Sequence, residues 1–427
     1  MASRALVLLT VFLQTTISLS IPSRAQSKVN LAGLAAPGPT STPVSDWQKN
    51  NKTAQWAEGY PKTWGSEEVK YTQVKKAQPH SRSLFGPGTV TPDDKFLIMI
   101  NDTNTRITNL DTGTTVVDIA QAGDDARVTV SPKGGYDLLI SKMRAQYSGY
   151  DIYHYSLSEE GNPKGDPVKV YGETTTFDTD VFKGRRFVAD QRNEAFVYDL
   201  DDPNFRLTLD GHTDSVTSAT FSPDGKYVAT AAWDGKGKLW SAQDGSFIAD
   251  FESTTAQNWV TRFSPDSKYV AIAAPRYVKI YTVANLVAPP TNSTTSPILI
   301  EGFGSWVRTL QWSPDSKYIA GGSFGQVLVY SLAQNKVVQY WALASQENWE
   351  VVDVTWLEGG KRIAYRVQGA LEMYDFDSNL KYKWGPGEGD TWLNGFNVAG
   401  TFQLKKKGWI GGFDWDHSVR FWKYPAA

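Results

Sequence analysis

The chain of 427 residues carries 45 acidic side chains against 43 basic ones, a formal charge of −2, and no cysteine. The near-balance argues against a dedicated nucleic-acid binder, which needs a basic face to replace counterions along phosphates, and leaves room only for a local basic patch; the missing cysteines exclude disulfides, thiolate nucleophiles and cysteine-held metals. With 41% apolar residues and 16 tryptophans the chain has material for a large core and is not a disordered polymer.

At the N-terminus one charge at Arg4 precedes an apolar run from Ala5 to Leu13, small residues Ser18 and Ser20, then Pro22 and Arg24. This pattern predicts a secretory signal peptide over residues 1–20, cleaved after Ser20 or Ala25. The run is too short to cross about 30 Å of hydrocarbon, and no later run reaches that length, so no stable membrane insertion is expected. Sequons at Asn51, Asn101 and Asn292 fit the same expectation of a secreted, extracellular glycoprotein. Residues 21–68 divide into a linker rich in Ala, Pro, Gly, Ser and Thr and an arm with Trp47, Trp56, Tyr60 and Trp64. That arm is too aromatic for a free tail and is expected to pack on the folded body.

From residue 69 to 425 the chain repeats. Ser222-Pro223-Asp224-Gly225-Lys226-Tyr227 returns as Ser264-Pro265-Asp266-Ser267-Lys268-Tyr269 and as Ser313-Pro314-Asp315-Ser316-Lys317-Tyr318. Thr91-Pro92-Asp93-Asp94 and Ser131-Pro132-Lys133-Gly134 are weaker copies; Phe182 to Phe187, Leu357 to Arg362 and Leu404 to Trp409 are degenerate ones. In each unit an alternating strand runs into the turn, a second strand leaves it, and a third ends in an aromatic such as Tyr198, Trp240, Tyr281 or Tyr330. Strand-only units that cannot bury their own faces must stack around an axis, which predicts an all-β propeller. Eight blades are favoured over seven, at about 45 residues each. Because the chain stops after the third strand of the last copy, Val69 to Val74 is expected to supply the missing outer strand and close the ring.

Gly211-His212, Ser222-Pro223-Asp224-Gly225, Trp233-Asp234-Gly235 and Leu239-Trp240 together resemble the WD40 repeat family. That resemblance implies a hydrogen-bonded set of His212, Thr230, Asp234 and Trp240 stapling the blade, partly repeated by Asp416 and Trp422. It also implies a scaffold for protein assemblies.

Catalytic readings fail on context. Gly321-Gly322-Ser323-Phe324-Gly325 satisfies a nucleophile-elbow pattern, but that motif needs a strand-to-helix turn, and here it falls between antiparallel strands. His212 belongs to the staple before it is a general base. Asp124-Asp125 and Asp201-Asp202 lack the oxygen spacing of a calcium loop, so no metal or cofactor is expected. Lys405-Lys406-Lys407 reads as a solvated edge. Trp306, Trp349 and Trp392 stand where their units' first strands begin and, with Arg308 and Glu350, form a candidate partner-binding cluster. The function expected is therefore a monomeric, non-enzymatic secreted scaffold that binds a macromolecular partner, most simply a protein, through its top-face loops. The alternative is an extracellular carbohydrate or small-ligand binder or enzyme using the central funnel.

Overall fold

The computed structural model describes residues 55–425 apart from 61, 64–67, 73–87, 101–102, 124, 144–149, 175–181, 184–185, 192, 203, 290–295, 325, 343–350, 352, 368–369, 386–400 and 414–417. These strands form eight sheets. Blade 1 is Gly88–Val90, Phe96–Ile100, Thr105–Asn109 and Thr115–Ile119, each antiparallel to the next. Blades 2, 3, 4, 5 and 6 follow the same order over 125–174, 182–209, 216–250, 261–301 and 309–342. Blade 7 spans 354–385, and blade 8 takes three strands from 401–423 and its outer strand, Glu68–Thr72, from the other end of the chain.

The ring is visible in what touches what. The first strand of each blade from 4 to 7 touches the first strand of the following blade, the first strands of blades 1 and 2 touch, and Thr401–Leu404 of blade 8 touches Gly88–Val90 of blade 1. Eight apolar clusters form the core, one at each junction between consecutive blades. This explains why Phe96-Leu97-Ile98-Met99-Ile100 is apolar without a break. Phe96, Ile98 and Ile100 face blade 2, whereas Leu97 and Met99 face blade 8. A strand buried on both faces has no solvent side to mark with polar residues.

The Ser-Pro-Asp turns join first to second strands and are built from their own side chains. In blade 4, Ser222 Oγ donates to Asp224 Oδ1 at 2.7 Å and accepts from Tyr227 N at 2.9 Å, while Lys226 N donates to Asp224 Oδ1 at 3.1 Å. Blades 5 and 6 repeat this with Ser264 and Asp266, and with Ser313 and Asp315. The residue after the Asp has positive φ: 76° at Gly225, 61° at Ser267 and Ser316, and 63° at Asp94. Glycine suits that conformation best, so the side chains at 94, 267 and 316 need a reason. Each accepts a backbone N–H from the turn of the preceding blade: Ser267 Oγ from Asp224, Ser316 Oγ from Asp266, and Asp94 Oδ2 from Lys406. These clasps hold neighbouring blades together on the turn side of the ring.

Blades 3 and 7 lack that turn and use another device. Where blades 4, 5 and 6 pair Tyr227 with Ser241, Tyr269 with Thr282 and Tyr318 with Ser331 across the ladder, blade 3 pairs Arg186 with Asp199 and blade 7 pairs Arg362 with Asp375. Arg362 is 2% exposed, its Nε donates to Asp375 at 2.5 Å, and its Nη1 reaches the carbonyl of Pro425 in the last blade. Arg186 likewise donates to the carbonyl of Ala242 in blade 4 at 3.0 Å. At the junction of blades 8 and 1, Lys407 pairs with Asp111 at 2.6 Å, so the lysine run bridges two blades and is not simply a solvated edge.

Part of the aromatic arm lies on blade 7. Gln55–Trp56 and Lys62–Thr63 pair parallel with its outer strand, Leu380–Gly385, and Tyr60 meets Tyr382 and Trp384 edge-on at 4.9 and 5.4 Å. Trp47 and Trp64 lie outside the described residues, as does the leader. Among the described residues no helix is long and apolar enough to cross a membrane.

Candidate interaction face

His212 enters from the loop between blades 3 and 4 and meets the second and third strands of blade 4. Its Nδ1 lies 2.9 Å from Asp234 Oδ2, its Nε2 2.7 Å from Thr230 Oγ1, and Trp240 Nε1 2.9 Å from the same hydroxyl. Proton positions follow by elimination, because an indole N–H only donates and a carboxylate only accepts. Trp240 donates to Thr230, Thr230 to His212 Nε2, and His212 Nδ1–H to Asp234. Burial lowers the His212 pKa, outweighing the pull of Asp234 upward, so the ring is neutral at neutral pH. For Asp234 burial raises the pKa, but hydrogen bonds from Thr213 N, His212 and Lys236 N outweigh it and bring it down. With both ring nitrogens occupied, the imidazole has no position from which to take a substrate proton.

The last blade does not repeat this staple. Trp422 takes the ladder place of Trp240, but Gly412 stands where Thr230 stands, so there is no hydroxyl for the indole to donate to. Trp422 Nε1 is buried without a hydrogen-bond partner among the described residues, and the ring stacks on Trp384 at 6.2 Å. Asp416 lies outside the described residues.

Beside the staple, three half-buried tryptophans from consecutive blades meet. Trp233, in the turn after the second strand of blade 4, lies 5.3 Å from Trp259, which precedes the first strand of blade 5. Trp259 lies 5.7 Å from Trp306, which precedes the first strand of blade 6. The Arg308 guanidinium sits 3.5 Å from the Trp259 ring centre and 4.8 Å from that of Trp306. Trp306 and Arg308 are thus brought together, whereas Trp349, Glu350 and Trp392 fall outside the described residues, as do the sequon asparagines Asn51, Asn101 and Asn292. Trp233 and Trp259 were not among the partner-binding residues expected from sequence. The available signal was that Trp259 stands just before its blade's first strand, as Trp306 does.

Ser323 is fully buried at the end of Tyr318–Ser323, antiparallel to Gln326–Ser331, so the elbow pattern is an ordinary blade turn. Among the described residues no group of three or more potential metal ligands converges.

A family model described as WD domain, G-beta repeat matches residues 203–241 and 296–330. These two stretches, in blades 4 and 6 with the loops before them, match WD40 repeats. A solved propeller, Chaetomium thermophilum Sqt1 bound to the N-terminus of the ribosomal protein L10, superposes with a TM-score of 0.63 over 81% of this chain and 98% of that one, at 14% identity. Periodic tryptophan protein 2 of Saccharomyces cerevisiae is 27% identical over 114 residues, 27% of this chain and 12% of that protein. Ribosome assembly protein 4 of Chaetomium thermophilum is 53% identical over 38 residues, 9% of this chain and 7% of that protein. Its Saccharomyces cerevisiae counterpart is 45% identical over 49 residues, 12% and 9% of the two chains. The chain therefore spans about a tenth of the length of these curated relatives.

These comparisons overturn the expectation of a secreted, extracellular protein. Two of the three relatives are named for ribosome assembly and the solved neighbour holds a ribosomal protein segment, and ribosomes are built inside the cell. The apolar run from Ala5 to Leu13 fits a signal peptide in composition, but composition alone does not establish export. Without export the three sequons lose the context that gave them meaning, and so does an extracellular carbohydrate ligand.

Proposed function

We propose that this WD40 propeller is a non-catalytic scaffold that binds a protein partner through the loops of blades 4 to 6 on the face that carries Trp233, Trp259 and Trp306. The observation that carries this reading is the cluster itself. Three indoles and a guanidinium, contributed by three blades and left half-exposed, form the kind of aromatic and arginine anchor that dominates protein interfaces. The rigid ring below fixes their spacing before any partner arrives, which reduces the ordering cost of binding. A solved propeller of the same fold holding a protein segment supports the reading, as do relatives named for assembly work.

The test is a photo-crosslinking residue placed at 306 and, separately, at 268 on the turn side, in the full chain expressed in cells. A discrete protein adduct from 306 and none from 268 is the expected result. Adducts from 268 alone, or from neither position, would remove the proposed face.

A further inference from the structure

The ring is closed by hydrogen bonds between distant parts of the chain. Glu68–Thr72 pairs with Ser418–Lys423 of blade 8 through five residue pairs, from Glu68 with Trp422 to Thr72 with Ser418. The segment just ahead of that closing strand is fixed to a different blade. We propose that this segment, residues 55–63, is a releasable strap: seated on the outer strand of blade 7 it anchors the start of the closing strand, and its release lets the ring open at blade 8 first.

Three observations support this. First, strap and closing strand are joined end to end. Four residues separate Thr63, paired with Gly385 of blade 7, from Glu68, paired with Trp422 of blade 8. Such a stretch reaches at most about 18 Å. While the strap is seated, a closing strand that peels away therefore stays beside its partner and pairs again at high effective concentration. Second, packing runs from the strap through blade 7 to the closing ladder. Ala57 is buried and its N–H donates to the Lys381 carbonyl at 2.9 Å. Tyr60 meets Tyr382 and Trp384 edge-on, Trp384 stacks on Trp422, and Trp422 is the residue paired with Glu68. Loss of the Tyr60 ring thus loosens the rung on which the closing strand begins. Third, the strap is held weakly enough to let go. It makes two pairs at Gln55–Trp56 and two at Lys62–Thr63, all parallel, whereas the closing strand makes five antiparallel ones. Parallel bonds are slanted and slightly weaker per residue. Between the two short ladders the chain turns at Glu58 and Gly59, both exposed, with Gly59 at a φ of 76°. The strap is therefore the first part of the seal to release.

The experiment is hydrogen exchange of the full chain, read in peptides covering 68–72, 418–423 and 380–385, with 216–241 of blade 4 as the internal reference. Tyr60→Ala should speed exchange about tenfold in the first three, the equivalent of losing one edge-on ring contact, and leave blade 4 unchanged. Because the chain has no cysteine, Gln55→Cys with Leu380→Cys, opposite each other on the parallel ladder, gives one protein whose strap is either locked or free. Its oxidised form should exchange more slowly at 68–72 and 418–423 than its reduced form. Closing-strand exchange at the wild-type rate in Tyr60→Ala, with 380–385 accelerated, would overturn the proposal, since the strap would then come off without loosening the ring. Equal acceleration in blade 4 would overturn it as well, because Tyr60 would then act only on global stability. Should Tyr60→Ala fail to fold, or leave every peptide unchanged, the disulfide pair decides: equal closing-strand exchange in its two redox forms refutes the strap.

Discussion

Blades 6 and 7 reach their following neighbours from the same rung of the ladder with different chemistry. Tyr318 opens the second strand of blade 6, opposite Ser331, and its ring lies 6.2 Å from Trp356 of blade 7. Arg362 opens the second strand of blade 7, opposite Asp375, and its guanidinium lies within 6.0 Å of the Tyr424 ring and bonds the Pro425 carbonyl of blade 8. Blade 6 keeps its Ser-Pro-Asp turn and is clasped to blade 5 through Ser316; blade 7 has neither the turn nor a clasp of this kind among the described residues. The cross-blade hold is thus fixed by the architecture, while the residue that supplies it is free to change if its partner across the ladder changes with it. Blade 3 makes the same exchange with Arg186 and Asp199.

The comparison breaks most visibly at the buried pair. Arg362→Ala leaves the buried Asp375 carboxylate without its cation, held only by Asp377 N and Ser378 N, and is expected to cost about 3 kcal/mol, read as a lowered denaturant midpoint. Tyr318→Ala, which removes a half-buried ring, should cost about 1.5–3 kcal/mol. If the two chemistries are equivalent, the double change Arg362→Tyr with Asp375→Ser should recover much of the loss from Arg362→Ala; a double variant no better than the single one would show that blade 7 requires its charge pair.

Next in size is the blade 4 staple. Thr230→Val keeps the shape but orphans both His212 Nε2 and Trp240 Nε1–H, at about 1–3 kcal/mol for each group left unpaired. The same network sets a pH dependence. Because the folded pKa of His212 is lowered, the unfolded chain binds the proton that the folded chain refuses, so stability is complete above about pH 6.5 and falls as pH drops below it. Denaturant midpoints at pH 7.5 and 5.5 should separate in the wild-type chain and separate less in His212→Gln.

The smallest effect lies in the clasps. Ser267→Ala loses the bond from Asp224 N and keeps the positive φ, so it should cost about 1 kcal/mol. Ser267→Gly loses the same bond but relieves the backbone, and its thermal midpoint should lie above that of the alanine variant.

What could be read from the sequence was local. The Ser-Pro-Asp turns draw their bonds from residues within five positions, and the third strands end in aromatics that pack on the adjacent blade, so blade number and order were legible. The exchange of Tyr with Ser for Arg with Asp was written in the chain but meaningless without the register. Ser267 and Ser316 look like departures from glycine until Asp224 N and Asp266 N, 43 and 50 residues away, are seen to need acceptors. The proposed docking cluster was half legible for the same reason. Trp306 and Arg308 are neighbours in the chain, whereas Trp233 and Trp259 reach them only once three blades stand side by side. The leader misled because an apolar run records hydrophobicity and not destination.

The most direct measurement is hydrogen exchange of the full chain, alone and with the partner identified by crosslinking at 306. Protection confined to 233–236, 254–260 and 302–308, with the turns at 222–226, 264–268 and 313–317 unchanged, is the result expected if the tryptophan face docks the partner. Protection of those turns, or of outer strands such as Phe247–Asp250, with the tryptophan loops unaffected, would contradict it.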